Sequence, residues 1–295
     1  MSFRFKRRES VDEGVHRIAA EQIEGALRDL RNAKQAGSTH RARKRLKKLR
    51  AVLRLVRSNV DPAVFDRENV MFRDIGRRLA AVRDADLLVD VLKELRPSRA
   101  RDAAFAGAVS RALQHRRSVH REFFERGAIV ADLRQSLSDG QSRLGDWING
   151  DLGRKAILKG MRRSYQRAGD SFEAARRSHS DETWHEWRKR SKDVWYHLRL
   201  LEAAWPPVFG AAIAQFGDLS DHLGDDHDLV VIGHRLPELA GEKASARELR
   251  RLRALIGRRR EKLQADARKA GERLFAEKPG AFTRRVGACW REWRR

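Results

Sequence analysis

Apolar residues recur every three to four positions along most of this chain, and stretches that alternate apolar with polar are rare. Ala, Leu, Arg, Glu and Lys dominate the sequence, and all are strong helix formers. The pattern predicts helices over 11–36, 40–58, 62–80, 84–95 and 98–126. A polar connector with short helical pieces follows over 127–151. Further helices are predicted over 152–177, 182–204, 207–223, 228–239 and 243–275, with a short tail helix near 281–293. Local punctuation fits these limits. Gly37-Ser38-Thr39 reads as a C-cap glycine followed by N-cap candidates. Asp61-Pro62 offers an N-cap with proline at the first helical position. Pro97-Ser98 and Pro206-Pro207 interrupt the period, and Gly241 precedes the long C-terminal helix. The fold class is therefore all-α.

The pattern also repeats. His40-Arg41-Ala42-Arg43-Lys44-Arg45-Leu46-Lys47 aligns with His185-Glu186-Trp187-Arg188-Lys189-Arg190-Ser191-Lys192 at an offset of 145. At the same offset Leu53, Arg54, Leu55 and Pro62 meet Leu198, Arg199, Leu200 and Pro207. After a one-residue slip, Phe72, Asp74, Leu79 and Asp84 meet Phe216, Asp218, Leu223 and Asp228, while Ala80 faces Gly224 and Arg83 faces His227. Leu113, Arg116 and Arg117 then meet Leu255, Arg258 and Arg259. Collinear order across three segments implies two homologous halves, 10–130 and 150–278, within a single domain over 1–295. Two antiparallel bundles of the four-helix type, related by a pseudo-twofold axis, are the expected architecture.

Composition sharpens this picture. The 295 residues hold 65 Lys+Arg against 41 Asp+Glu, a formal net charge of +24. Such an excess costs stability through self-repulsion and implies a polyanionic partner. It is shared evenly: residues 1–150 carry 33 basic and 20 acidic side chains, and residues 151–295 carry 32 and 21. Within the second half, however, 201–250 holds 4 basic and 9 acidic residues, so the basicity is local. One cysteine, Cys289, leaves no disulfide framework and no Cys-based zinc site. No apolar run reaches the ~18 residues of a membrane span, and the basic start of the chain lacks the apolar core of a secretory signal. A cytoplasmic location is the expectation.

The charge falls on particular helix faces. At 100° per residue Leu46, Leu49, Leu53 and Val56 form an apolar stripe, while His40, Arg43, Lys44, Lys47, Arg50 and Arg54 cluster on another face. Between Arg41 and Arg57 there are nine Lys/Arg and no acid, so nothing in this helix neutralises the face. In the second half Val194, Leu198 and Leu201 take the apolar stripe, and His185, Arg188, Lys189, Lys192 and Arg199 the basic one. A structural repeat needs to keep only its core, yet here the cations are kept too. Two such rows facing each other make a positive trough for a linear anionic ligand, with Lys as point charges and Arg as forks. Near anions, His40 and His185 should favour the imidazolium form, although each histidine alone fits a structural role equally well.

The double H-x-x-R-K-x-x-K motif, followed by L-[AG]-x-x-[RH]-D, resembles the CHAD domain (conserved histidine α-helical domain) over roughly residues 10–275. The resemblance implies two helical bundles with pseudo-twofold symmetry. It also implies non-catalytic binding of inorganic polyphosphate in a basic central groove, often at polyphosphate granules, with no cofactor. Residue by residue, it places His40, Arg43, Lys44, Lys47, Arg50 and Arg54 on one wall and His185, Arg188, Lys189, Lys192 and Arg199 on the other. Glu186, Asp193 and Trp195 depart from the first copy, where Arg41, Lys48 and Arg50 stand. Arg162 and Arg163, with Arg116 and Arg258, are candidates to extend the trough.

Two other functions compete. A nucleic-acid binder would draw affinity from the same charge, but aromatic residues seldom interleave with the basic positions, as base stacking requires. A metal-dependent phosphohydrolase would use His222, Asp225, Asp226, His227 and Asp228. The first copy carries Arg78, Ala81, Val82, Arg83 and Asp84 there and could hold no metal, so a structural or N-capping role is expected for Asp84 and Asp228. No nucleophile motif, P-loop or GxGxxG occurs. The tryptophans and phenylalanines sit mostly among apolar residues and are expected in the core.

Overall fold

The computed structural model describes residues 3–33, 35, 37–79, 95, 104–115, 129–148, 152–178, 180–240 and 245–295. Among them the chain is helical throughout, with no strand. The elements are α1 (Val11–Arg31), α2 (Ser38–Leu55), α3 (Pro62–Arg78), α4 (described over 104–115), α5 (Ile129–Ser142), α6 (Arg154–Arg177), α7 (Asp181–Leu201), α8 (Pro206–Ala240), α9 (Ala246–Leu274) and α10 (Pro279–Arg294). No described helix is long and apolar enough to cross a membrane.

Local chemistry sets the starts. Ser10 and Glu13 form a reciprocal capping box: the Glu13 amide donates to the Ser10 hydroxyl at 3.1 Å and the Ser10 amide to the Glu13 carboxylate at 2.7 Å. Ser245 and Glu248 repeat the device on α9. Asp61 caps α3 by accepting from the Ala63 and Val64 amides, with Pro62 at the first helical position. Ahead of α2, Gly37 takes a φ of 78°, a left-handed turn that glycine enters without steric cost.

The structure departs from the sequence pattern in two places. The connector expected over 127–151 contains a full helix, α5, whose Leu133 and Leu137 stand one turn apart and are fully buried. The helices expected over 207–223 and 228–239 are one 35-residue helix, α8. Gly224 does not break it, because a helical glycine costs only about 1 kcal/mol and packing against α7 supports the run. Asp228 therefore lies inside a helix and caps nothing. Asp84, Arg83, Arg116 and the predicted helix over 84–95, except Leu95, lie outside the described residues, as do Pro97 and Ser98.

The apolar stripes turn inward as expected: Leu46, Leu49, Leu53, Val56, Val194, Leu198 and Leu201 are all buried. They join a core that also takes Trp147, Trp184, Trp187 and Trp290, whereas Trp205 is exposed. A second core gathers Val109 and Leu113 of α4 with Leu229, Ile232 and Leu236 of α8 and Leu252 and Ile256 of α9.

Helices α2 and α7 cross at the centre. His197 on α7 is fully buried and its Nε2–H donates to the Ala51 carbonyl on α2 at 2.8 Å. Arg54 on α2 pairs with Asp193 on α7, one turn further along each helix in opposite senses, so the two run antiparallel. Helix α6 presses on the end of the same crossing. A Cβ on Gly160 would stand 1.9 Å from the Leu55 carbonyl oxygen, so only glycine permits this approach.

Two outcomes follow from the crossing. Gly160→Ala must push α6 away from α2 and should lower the unfolding free energy by about 1–3 kcal/mol or more in denaturant titrations. Burial holds His197 at about 4 against the ordinary 6.5, with Asp193 and the Ala51 carbonyl opposing the shift. Between those values only the unfolded chain takes up the proton. The neutral ring's contribution is thus complete above pH 6.5 and is lost as pH falls towards 4, by at most about 3 kcal/mol. His197→Gln should show a shallower loss of stability than the parent between pH 7 and 4.5 when both are unfolded by denaturant.

Candidate functional site

The basic rows of α2 and α7 do face one cavity, of about 490 Å³. From α2 it takes Arg43, Lys47, Arg50 and Arg54, which step by four, three and four residues and so share one stripe. From α7 it takes His185, Arg188, Lys189 and Lys192. It also recruits residues outside the repeated motif: Arg73 and Arg77 of α3, and Arg190 and Tyr196 of α7. Ten Lys or Arg side chains thus line it against two carboxylates, Glu186 and Asp193.

Both carboxylates are engaged. Asp193 accepts from Arg54 at 2.6 Å and lies 3.8 Å from Arg190, while Glu186 pairs with Arg190 and stands 3.4 Å from Lys189. Arg50 donates to the Asn69 side chain at 3.1 Å. Burial first, and then Arg54, push Arg50 down to about 10, against the pull of Asp193, with Arg73 and Arg77 adding to the push. The cavity is therefore a site of concentrated positive potential in a partly desolvated wall, where fields are strengthened.

His185 occupies one end of it. Its ring stacks on His227 of α8, centroids 4.2 Å apart. Burial, then Lys189 and Arg188, hold His185 at about 4, with Glu186 opposing. His227 is likewise held at about 4 by burial, then by His185, Arg188 and Lys189, with Asp181 opposing. In the free protein both rings are neutral at pH 7, in contrast to the imidazolium expected beside an anion.

The second sequence motif lies directly behind the first. Leu223 is buried in the core, and the bare Gly224 leaves room for the Arg188 guanidinium, 3.7 Å from where a Cβ would stand. Asp226 is buried and accepts from Arg260 at 2.9 Å and Gln264 at 3.1 Å, tying α8 to α9. Arg260 reaches on to Asp181 at the start of α7. Among the described residues, no group of three or more His, Cys, Asp or Glu could hold a metal ion.

Three sequence candidates fall outside the cavity lining: His40, Lys44 and Arg199. His40 is half-buried at the start of α2. Lys44 is exposed about 100° round the helix from Arg43. The Arg199 guanidinium lies over the Trp195 and Phe3 rings, at 4.8 and 5.9 Å, and Lys48 shares the Phe3 ring at 5.0 Å. Lys48 is held at about 8, by burial first and then by Arg199, Arg45 and Lys44. Lys48 and Asp193 are 145 residues apart, as are Arg54 and Arg199. One end of the crossing therefore joins Arg to Asp, and the matching end sets Arg beside Lys. Of the extension candidates, Arg162 and Arg258 are exposed outside the groove, Arg163 lines a neighbouring cavity, and Arg116 is outside the described residues.

Arg73, Arg77 and Arg190 were missed because each has an acid close by in sequence: Asp74 for the first two and Glu186 for the third. Such spacing reads as ordinary surface pairing. A further cavity, about 360 Å³ between α6, α9 and α10, is mainly acidic, with Asp170, Glu173, Glu272 and Glu277 in its lining.

The family model described as CHAD domain matches residues 15–237. The chain belongs to the CHAD domain family. Two solved structures share the fold. The CHAD domain from the plant Ricinus communis is 18% identical, covers 99% of this chain and 95% of its own, and superposes with a TM-score of 0.59. PptA from Streptomyces chartreusis is 14% identical, covers 91% and 100%, and gives a TM-score of 0.61. No curated protein matches the sequence. In this CHAD domain both copies of the motif helix contribute to the basic cavity, and His227 of the second motif stacks on His185 of the first.

Asp193 is the carboxylate on which the cationic wall closes. Its side chain is only 10% exposed and those of Arg54 and Arg190 are 26% and 20% exposed, so the pair is partly shielded from water. Asp193→Asn should lower the unfolding free energy by about 1–3 kcal/mol at low ionic strength, measured by denaturant titration against the parent protein.

Proposed function

We propose that this CHAD domain binds inorganic polyphosphate in the groove between α2, α3 and α7, and does so without chemistry. The observation that carries the reading is the imbalance of the lining: ten cations against two carboxylates, both already held in ion pairs. A lining dominated by charged donors is suited to holding successive oxyanions. Family membership points to the same ligand class.

The mechanism is multidentate electrostatic capture. Arg43, Arg50 and Arg188 offer planar forks to phosphoryl oxygens, and Lys47, Lys189 and Lys192 offer mobile point charges. From Arg43 to Arg54 the α2 wall runs roughly 16 Å, enough for several consecutive phosphates on one wall. Each contact releases counterions from the polymer, so affinity should fall steeply with salt, as it does for other polyanions. The same surface would serve a polyphosphate granule in the cytoplasm, where many chains present equivalent oxygens.

The test is a titration with long-chain polyphosphate at physiological salt. Saturable binding is expected, and a Lys47→Glu, Lys189→Glu, Lys192→Glu variant should weaken it by about 100-fold or more. Lys44→Glu, outside the lining, should weaken it much less. Absence of saturable binding, or tighter binding of DNA or RNA of equal charge, overturns the reading.

A further inference from the structure

A second basic cavity adjoins the groove. It has a volume of about 220 Å³ and lies between the end of α2, α3, α6 and α7. Arg54, Arg190 and Asp193 line both cavities, so their ion pairs form the partition between them. On the far side stand Arg57, Arg163 and Arg167, with Asn69 and Ser164.

The far side is under-neutralised. Among the described residues, Arg57, Arg163 and Arg167 make no salt bridge. Asp193 is the one acid in the lining and is already shared by Arg54 and Arg190. Arg57 rests on the Phe65 ring at 4.4 Å, which fixes its plane at the rim. Arg163 is half-buried and donates to the Arg54 carbonyl at 2.5 Å, which anchors its guanidinium in the wall. Burial, and then the charges of Arg57 and Arg167, push Arg163 below its ordinary range. Holding these cations together without a carboxylate costs stability, and an oxyanion would remove that cost.

We propose that this cavity is a second oxyanion site, which takes a phosphoryl group or a short phosphate chain and is separated from the groove by the carboxylate of Asp193. The inference extends the groove reading and does not depend on it. The oxyanion has two possible sources: the end of a polyphosphate chain lying in the groove, or a separate phosphorylated molecule. A chain that enters both cavities must cross the partition, where its oxygens compete with Asp193 for Arg54 and Arg190.

Calorimetric titration with tripolyphosphate at low salt tests this. The parent protein should bind two equivalents. Arg57→Gln with Arg167→Gln, both exposed and confirmed folded by denaturant titration, should weaken one equivalent by about tenfold or more. The Lys47, Lys189, Lys192 charge reversal should remove the other. Unchanged stoichiometry and affinity in the Arg57/Arg167 variant overturns the proposal. If the groove variant changes nothing while the Arg57/Arg167 variant loses its equivalent, the groove reading fails and this one stands. Long-chain polyphosphate then separates the sources. A polymer that displaces both equivalents enters the second cavity. A polymer that displaces only one leaves the second cavity to a separate phosphorylated ligand.

Discussion

Like charges on α2 and α7 repel across the cavity the two helices share, so the fold must supply the attraction that holds them together. It does so on the opposite faces. Leu46, Leu49, Leu53, Leu198 and Leu201 are buried in one core, and each fully buried leucine contributes roughly 1.5–3 kcal/mol. His197 adds a hydrogen bond across the crossing and, being neutral, brings no further charge. Gly160 lets α6 press onto the Leu55 carbonyl and close the seam from behind. The cations can converge because nothing apolar has to give way for them to do so.

Neutralisation follows the same economy. Asp29 of α1 takes Arg41 and Arg45, which point away from the groove. Asp193 and Glu186 sit at its edge and hold Arg54 and Arg190, leaving the remaining lining cations in large excess over carboxylate. The two ends of the α2–α7 crossing then diverge. Asp193 supplies a carboxylate to Arg54, whereas its counterpart Lys48 stands beside Arg199, where aromatic faces of Phe3 and Trp195 replace the missing anion. Exchange of Lys48 for Asp193, together with the aromatic rings of Phe3 and Trp195, makes one end a closed ion pair and the other an aromatic cluster of cations.

These facts bear on what a sequence alone can display. Helix period, caps and apolar stripes are local, and α1, α2, α3, α6, α7 and α9 follow them closely. The rows Arg43–Lys47–Arg50–Arg54 and His185–Arg188–Lys189–Lys192 were legible because helical geometry converts spacing into a face. Lys44 was assigned to that face because a stripe defined by spacing has soft edges of about 100°. Arg73 and Arg77 were hidden for a different reason: both pair with Asp74, their acid neighbour in sequence, yet they still line the groove from α3. The continuity of α8 through Gly224 is decided by packing against α7, and periodicity contains no record of that contact. The stacking of His227 on His185 is tertiary in the same sense.

A cavity lined by partly desolvated like charges draws on the stability of the fold around it. Arg50 is held near 10 by burial first and then by Arg54, against the pull of Asp193, so it stays charged at neutral pH against an opposing field. Repulsion among the lining cations is restrained by the apolar seam. The magnitude of the restraint sets how many cations can be gathered, and the embedded carboxylates show where it ends. Where Arg54 and Arg190 meet between the two cavities, the fold inserts Asp193 and does not leave the pair bare. Asp193 thus answers the repulsion between two guanidinium groups where the cavities meet.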